Sequence, residues 1–524
     1  MKKILCLFFT VLSFTAQVHS NNLNWTPSPA VLSGAGLNAT EPEIAIDANG
    51  NAIAVWIENN MIKSSTQLVN GSWAAKVNVS GTNASSVNLI MDSNGNATAV
   101  WLEGGIVKAA TKTLNGNWSS STGISNTGAS SPVLCVDDAG DVIAAWVRGG
   151  NIETSTKLFG SSWFTKTVLS STNASTPSIA IGGTGSNAKA ILVWQGTSGI
   201  VKGIFSAAKL INGAWTSPVL ISDTSQNAAQ PTVAVDANGN ANAIWYAYDV
   251  TGNIYSNVVV KTADRDTVSA NWSDISSLSQ SGIRNPATLI ARVAFDKVGN
   301  CVALWNQSYD GETFALESAV KHVSGTWSLP MDLTSSNLYG YSADLSATAF
   351  GDVLGLYMFY NGASLMIQSI EADINGFLND FWSVPITISQ GSKNAYPRIA
   401  ATLTGNVLRA AAVWINYDGA NNRLVASTGS KTLVLPPSNL SVTQSVNNLG
   451  VFNEYYNTLS WSGSLDPNAV GYLIFRNGVF IAQVGINTLT YVDNNRTQNG
   501  PVTYSVTAID NEQTQSRTVS INYP

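Results

Sequence analysis

The chain has 524 residues, enough for more than one domain. It carries 26 basic against 32 acidic residues, a net charge of −6, and charged residues make up only 11% of it. A nucleic-acid partner would want a basic stripe, so this mild acidity argues against one, while a surface rich in Ser, Thr, Asn and Gly suits an exported β protein.

Residues 1–20 read as a secretory signal. Lys2 and Lys3 form its charged start, Ile4 to Phe14 its apolar stretch, and Val18 and Ser20 are small enough for the cleavage site. The apolar run is too short for a lasting transmembrane helix, and no later stretch could span a membrane. Cys6 lies inside the apolar run, which argues against a lipid anchor there. The expected location is secreted, extracellular or periplasmic. Cleavage leaves 24 basic and 32 acidic residues, a net charge of −8. It also leaves two cysteines, Cys135 and Cys301, three repeats apart. A disulfide needs Cα atoms within about 7 Å, so both read as small buried apolar residues.

Two tryptophan marks recur from here on. A strand ending in Val-Trp or a variant falls at Trp56, Trp101, Trp146, Trp194, Trp245, Trp305 and Trp414, with Tyr357 standing in once. Gly-x-Trp or a relaxed form falls at Trp73, Trp118, Trp163, Trp215, Trp272, Trp327 and Trp382, and Trp25 adds an eighth near the start. Together they hold 15 of the 16 tryptophans, so the pattern and not composition sets their places. The first repeat shows the plan. Ile44 and Ile46 alternate on one strand, Asn49-Gly50 makes a type I′ turn, and a second strand runs from Ala52 to Trp56. A third strand covers about Ile62 to Leu68, Asn70-Gly71 turns again, and a fourth runs from Trp73 to near Val79. Four antiparallel strands in a period of about 45–60 residues spell a β-propeller blade. Repeats open near Pro42, Val87, Pro132, Pro177, Pro231, Ala287, Ala343 and Pro397, which makes eight. The last lacks a Gly-x-Trp strand, and residues 24–33 are a lone Trp strand; the N-terminal strand is therefore expected to close the ring. The regular placement of the tryptophans favours packing between sheets over a ring of sugar platforms.

The Asp-x-Asn-Gly-Asn turns at Asp92 to Asn96 and Asp236 to Asn240, with looser copies at Asp137 to Asp141 and Asp296 to Asn300, resemble calcium loops of integrin-like propellers. Most copies hold one carboxylate, which favours a plain hairpin turn; Ca²⁺ is the only cofactor considered. Ser324-Gly-Thr-Trp327 is similar to the tail of a sialidase Asp-box but lacks its Asp, and arginine is sparse. His322 stands near a strand end, with no metal-ligand spacing such as His-Glu-x-x-His.

The repeats are asymmetric. The two Trp marks are 17 residues apart in repeats 1 to 3 and 21 to 27 apart in repeats 4 to 7. Part of the growth falls between the second and third strands. Tyr248-Asp249, Tyr309-Asp310-Gly-Glu312, Tyr360-Asn-Gly and Tyr417-Asp418-Gly lie there in repeats 5, 6, 7 and 8. Each alone reads as a Tyr-anchored turn. Their clustering points to a ligand face, with rings packing on sugar C–H groups and oxygens taking hydroxyls.

Pro436-Pro437 breaks the repeat. Trp461, then Tyr472-Leu-Ile-Phe-Arg476-Asn-Gly478, Thr490-Tyr-Val-Asp493 and Tyr504-Ser-Val-Thr-Ala-Ile-Asp510 follow. This stretch, about 89 residues, resembles a fibronectin type III domain, which implies a seven-stranded sandwich and no catalytic residues. The whole chain resembles bacterial secreted β-propeller repeat proteins with such a C-terminal domain.

The expected fold is all-β: a signal at 1–20, an eight-bladed β-propeller at 21–433, and a fibronectin type III sandwich at 434–524. The expected function is non-catalytic binding of a glycan or a cell-surface or envelope protein through the long-loop face. The alternatives are a glycosidase or polysaccharide lyase with carboxylates in the funnel, with Asp310, Glu312 and Asp418 first in line, and a structural scaffold of an envelope or adhesive assembly.

Overall fold

The computed structural model describes residues 22–169, 173–297, 299–323, 325–334, 339–374, 382–448, 450, 453–512 and 514–523, with 339–341 as backbone only. The expected signal at 1–20, with Cys6 and His19, and Ser324 of the Asp-box-like tail lie outside the described residues. Two compact units emerge: Asn22–Thr432, and a second that begins at Leu433.

Among the described residues the first unit holds eight antiparallel sheets. Sheet 1 runs Ala39–Ile46, Ala52–Glu58, Met61–Gln67 and Val77–Asn78, in that spatial order. Sheets 2 to 7 repeat this meander, opening on Ala84–Met91, Ala129–Val136, Ser175–Gly182, Asn227–Val235, Ala291–Phe295 and Tyr339–Ala347. Sheet 8 takes Asn394–Thr404, Val407–Tyr417 and Asn422–Thr432, and its outer edge is completed by Asn24–Trp25 and Ala30–Val31. The first strands pack on one another in chain order, and that of sheet 8 packs on that of sheet 1. Sheets stacked around a common axis in this way form a β-propeller.

The second-strand tryptophans are the mortar. Trp56, Trp101, Trp146, Trp194, Trp245, Trp305 and Trp414, and Tyr357 in the same place, are all essentially inaccessible to solvent. Trp101 rests on Ile53 and Val55 of the preceding sheet, Trp146 on Val100 and Val107, and Trp56 on Ala411 and Val413 of sheet 8. The Gly-x-Trp indoles sit half-buried, apart from buried Trp382, toward the outer edge, where Trp73 bridges to Gln67 and Trp118 packs on the core between sheets 1 and 2. Cys135 opens onto sheet 3 and Cys301 onto sheet 6; both are free and buried, and burial pushes both thiols up.

The Asp-led turns join first to second strands. Asp47 Oδ1 accepts from the Asn49 and Asn51 amides at 2.9 and 2.8 Å, and its Oδ2 accepts from Asn51 Nδ2 at 2.7 Å. Asp92 and Asp236 repeat this pattern, and Asp296 accepts from the Gly299 and Asn300 amides and from Asn300 Nδ2. Each Gly in these turns has positive φ, and a Cβ on Gly95 would meet Asp47 Oδ2 at 2.9 Å, so neighbouring turns abut. One carboxylate ringed by N–H donors does not fit Ca²⁺, which takes six to eight oxygens. Among the described residues no three His, Cys, Asp or Glu side chains gather in a metal-holding group.

In the sixth repeat the opening expected near Ala287 is a 3₁₀ turn, Pro286–Thr288, and the strand begins at Ala291. Asn285 causes this, because its side chain accepts from the Ala287 amide and holds the turn.

The second unit has a three-stranded sheet (Ser438–Asn448, Asn453–Ser462, Thr490–Arg496) and a four-stranded one (Val479–Gly485, Ala469–Arg476, Val502–Asp510, Val519–Tyr523). Leu459 and Trp461 of the first meet Tyr472, Ile474, Tyr504 and Val506 of the second in one core. Buried Asp493 ties the sheets together, accepting from Arg476 at 2.8 Å and from the Tyr504 hydroxyl at 2.5 Å. No helix of the described residues is long and apolar enough to cross a membrane.

Candidate functional site

Ala39 pairs with Glu58, and Asn394 with Asn416. The first strands therefore begin at the end where the second-to-third hairpins turn, and both features share one face. Near that start, among the described residues, six first strands carry a β-bulge with a non-glycine residue at positive φ: Glu41, Ser86, Ser131, Thr176, Gln230 and Tyr396. Five of these precede proline, whose missing N–H is tolerated at a bulge. Positive φ is costly for such residues and most of all for β-branched Thr176. The bulge turns each of these side chains out of the ladder at the mouth of the ring.

One step further in, the free inner edges are sewn together by side chains. The Val87 amide donates to Glu41 at 3.2 Å, Val233 to Ser178 at 3.3 Å, Ile399 to Asp344 at 3.0 Å and Ala401 to Ser346 at 3.0 Å. Charge concentrates on four consecutive sheets. Arg292 (sheet 6) bonds Asp344 (sheet 7) at 3.2 Å, and Arg398 (sheet 8) bonds Glu43 (sheet 1) at 3.1 Å. Burial pushes the Glu43 carboxyl up despite Arg398. Two funnel carboxylates, Glu43 and Asp344, are thus each held by an arginine. The first-choice carboxylates Asp310 and Asp418 instead close their own turns, and Glu312 is exposed on the Asp310 turn.

The remaining candidate residues divide. Tyr248 and Asp249 are not in a loop: the second strand of sheet 5 runs on through both, as Ala241–Thr251. Tyr248 is 5% exposed and packs in the core beside Tyr255, so it offers no ring to a ligand, while Asp249 accepts from Asn257 across the hairpin. The alternation of Tyr246 and Tyr248 simply continues the strand. Asp310 accepts from Thr313 Oγ1 and from the Thr313 and Glu312 amides, which hold its carboxyl at about 2. Tyr360 and Tyr417 each donate to a glycine carbonyl two residues on, Gly362 and Gly419, both at 2.8 Å. Tyr417 stays exposed, and Lys393 Nζ lies 5.1 Å above its ring.

Tyr309 differs. Its hydroxyl donates to Glu317 at 2.6 Å, and Glu317 also accepts from the Trp305 indole at 2.7 Å. In sheets 1 to 3 the same indole bonds Glu58, Glu103 or Glu153, and each of those glutamates has a Lys or Arg beside it. In sheet 6 a tyrosine stands where the cation would be. Burial pushes the Glu317 carboxyl up, opposed by its two donors. Its folded pKa lies above the unfolded one, so its contribution to stability is full below about pH 4 and is lost as pH rises through the folded value. Glu317→Gln keeps both partners and removes the charge. It should raise Tm by about 1–3 °C at pH 8 and hardly change it at pH 4. Scanning calorimetry at the two pH values checks this, and a gain independent of pH would contradict it.

No family model matches the chain, and no curated protein matches it. Solved structures of similar fold include a Penicillium chrysogenum alpha-L-arabinanase complexed with arabinobiose, at 9% identity and TM-score 0.32 over 49% of this chain and 93% of that one. The polysaccharide lyase Uly1 aligns at 10% identity and TM-score 0.34 over 68% and 88%. The six-bladed β-propeller lectin of Aleuria aurantia aligns at 11% identity and TM-score 0.33 over 56% and 95%. At such identities the likeness is one of fold alone.

Proposed function

We propose that this is a secreted bacterial binding protein without catalytic activity, an eight-bladed propeller at 21–433 followed by a fibronectin type III module at 434–524. Its ligand is a glycan, or a glycan-bearing surface or envelope protein, held at the hairpin face of the ring. One observation carries this. Among the described residues, the tyrosines more than a third exposed are Tyr309, Tyr396 and Tyr417, and all three lie on that face, in sheets 6 and 8. Flat exposed rings, two of them held by phenol bonds at Tyr309 and Tyr417, on the same face as polar bulge residues such as Glu41 and Gln230, suit sugar C–H faces and hydroxyls. Tyr360, Asp418 and Glu312 would complete the rim. The funnel carboxylates Glu43 and Asp344 are bound to arginines, which speaks against a free acid/base pair and for binding over hydrolysis.

A glycan-array screen of residues 21–524 tests this. Tyr396→Ala should weaken any specific signal at least tenfold, about 1.4 kcal/mol, with Tm unchanged because Tyr396 is 62% exposed. An array without signal, or a signal indifferent to Tyr396, would overturn the reading.

A further inference from the structure

A basic residue recurs at one place on the third strand. Counting four residues back from the buried Trp and crossing the ladder leads to Lys112, Lys157, Lys209, Arg265 and Lys321 in sheets 2 to 6. Lys321 of sheet 6 reaches back to sheet 5 and ion-pairs with Asp264 at 2.5 Å. Lys209 of sheet 4 makes the same reach to sheet 3. The residue there that corresponds to Asp264 is Thr156, whose hydroxyl accepts from Lys209 at 3.0 Å. The ion pair of one interface is, at the other, an ammonium facing a neutral hydroxyl. Among the described residues no carboxylate lies within ion-pairing distance of Lys209.

The space that the missing carboxylate would help fill is open. A cleft of about 190 Å³ lies between sheets 3 and 4, lined by Thr154, Thr156, Phe164, Thr167, Lys209 and Trp215. That is about six times the share of one water in the liquid, ~30 Å³, and comparable to a single sugar ring. Its walls are braced. Trp215 Nε1 donates to Thr154 Oγ1 at 2.9 Å, and Lys209 Nζ sits 5.9 Å from the Trp215 ring. Burial also lowers the pKa of Lys209, the expected state of an ammonium without a counter-charge. The cleft opens toward the Asn-Gly turns, at the opposite end from the tyrosine face, so it is a separate site.

We infer that this cleft binds a carboxylate-bearing ligand about the size of one sugar ring, the carboxylate meeting Lys209 and Thr156 in the place that Asp264 takes against Lys321. A uronate unit of a glycan and a small free carboxylate share this chemistry.

Calorimetric titration of the full mature chain with glucuronate, glucose and acetate tests it. Glucuronate should bind and glucose should not. Lys209→Met should weaken glucuronate at least tenfold. Thr156→Asp places the sheet 5 carboxylate in the cleft; it should abolish binding while melting at or above the parent temperature, which separates loss of the site from loss of the fold. Glucuronate tighter than acetate assigns the site to uronates, and equal binding assigns it to small free carboxylates. Equal binding of glucose and glucuronate, binding that survives either substitution, or no binding of either anion would overturn the inference.

Discussion

A chain that starts at residue 34 is expected to melt about 10 °C or more below residues 21–524, and over a broader range. Residues 22–33 are the outer edge of sheet 8, yet their sequence partners lie some 400 residues away. Trp25 pairs with Gly429 and Val31 with Val425, the Thr26 amide donates to Thr428 at 2.8 Å, and the Leu32 amide to Leu424 at 2.9 Å. Leu23 is 2% exposed, its amide donates to Glu371, and the Trp25 indole donates to Ser369 at 3.0 Å, so the segment also clamps sheet 7. Truncating one buried leucine costs about 2–5 kcal/mol. Removing the whole segment takes that side chain and Trp25, strips cover from Leu424 and Ala426, and leaves the third strand as a bare edge. It also leaves Glu371, whose carboxyl burial pushes up, with one donor fewer. Calorimetry decides the point. A fall of under about 3 °C would mean that the ring is held by its sheet-to-sheet packing and not by this clasp.

The propeller was legible because each sheet solves the same packing problem with the same residue. A Trp at the sixth place past the glycine of an Asn-Gly turn needs no partner information beyond its own repeat, so Trp56 or Trp101 can be placed from 15 residues of sequence. The closing strand was legible from what the last repeat lacks. The site was not, for two physical reasons. Arg292, Asp344, Arg398 and Glu43 follow the openings of four different repeats, and only closure of the ring brings Glu43 to Arg398, 355 positions apart. The bulges do carry a signal in the sequence. Glu41-Pro42, Ser131-Pro132, Thr176-Pro177, Gln230-Pro231 and Tyr396-Pro397 mark the repeat openings, but a proline inside a strand also means a bulge, and a bulge re-aims a side chain. That signal points to Tyr396, whereas the longer gap between Trp marks points to Tyr248. The gap is ambiguous because a longer hairpin and a longer loop add the same number of residues between marks, and the alternation of Tyr246 and Tyr248 is what marks the hairpin.

Arg398→Met is expected to be the most damaging single change on the inner wall, costing about 3–5 kcal/mol at pH 7. Met keeps the length and the packing of the stem, so the loss is that of charge. Glu43 then remains in the wall, where burial already pushes its carboxyl up and Arg398 is the largest influence holding it down. Without the guanidinium its folded pKa rises further. A carboxyl whose folded pKa exceeds its unfolded value contributes fully below the unfolded value, near 4.3, and loses that contribution as pH rises through the folded one. The deficit of the variant should therefore be largest above neutrality and shrink toward pH 4, where Glu43 takes up a proton. Adding Glu43→Gln should restore most of the lost stability at pH 7, because the pair costs desolvation that neither neutral residue demands. Arg292 and Asp344 keep each other, and the Ile399 amide keeps Asp344, so the rest of the wall has no reason to rearrange. Melting temperatures of the parent, both single variants and the double variant, each at pH 4 and pH 8, form the cycle that reads this. Additive losses, or a deficit flat with pH, would mean that Arg398 acts through its carbonyl bond to Pro397 and its packing, not through Glu43.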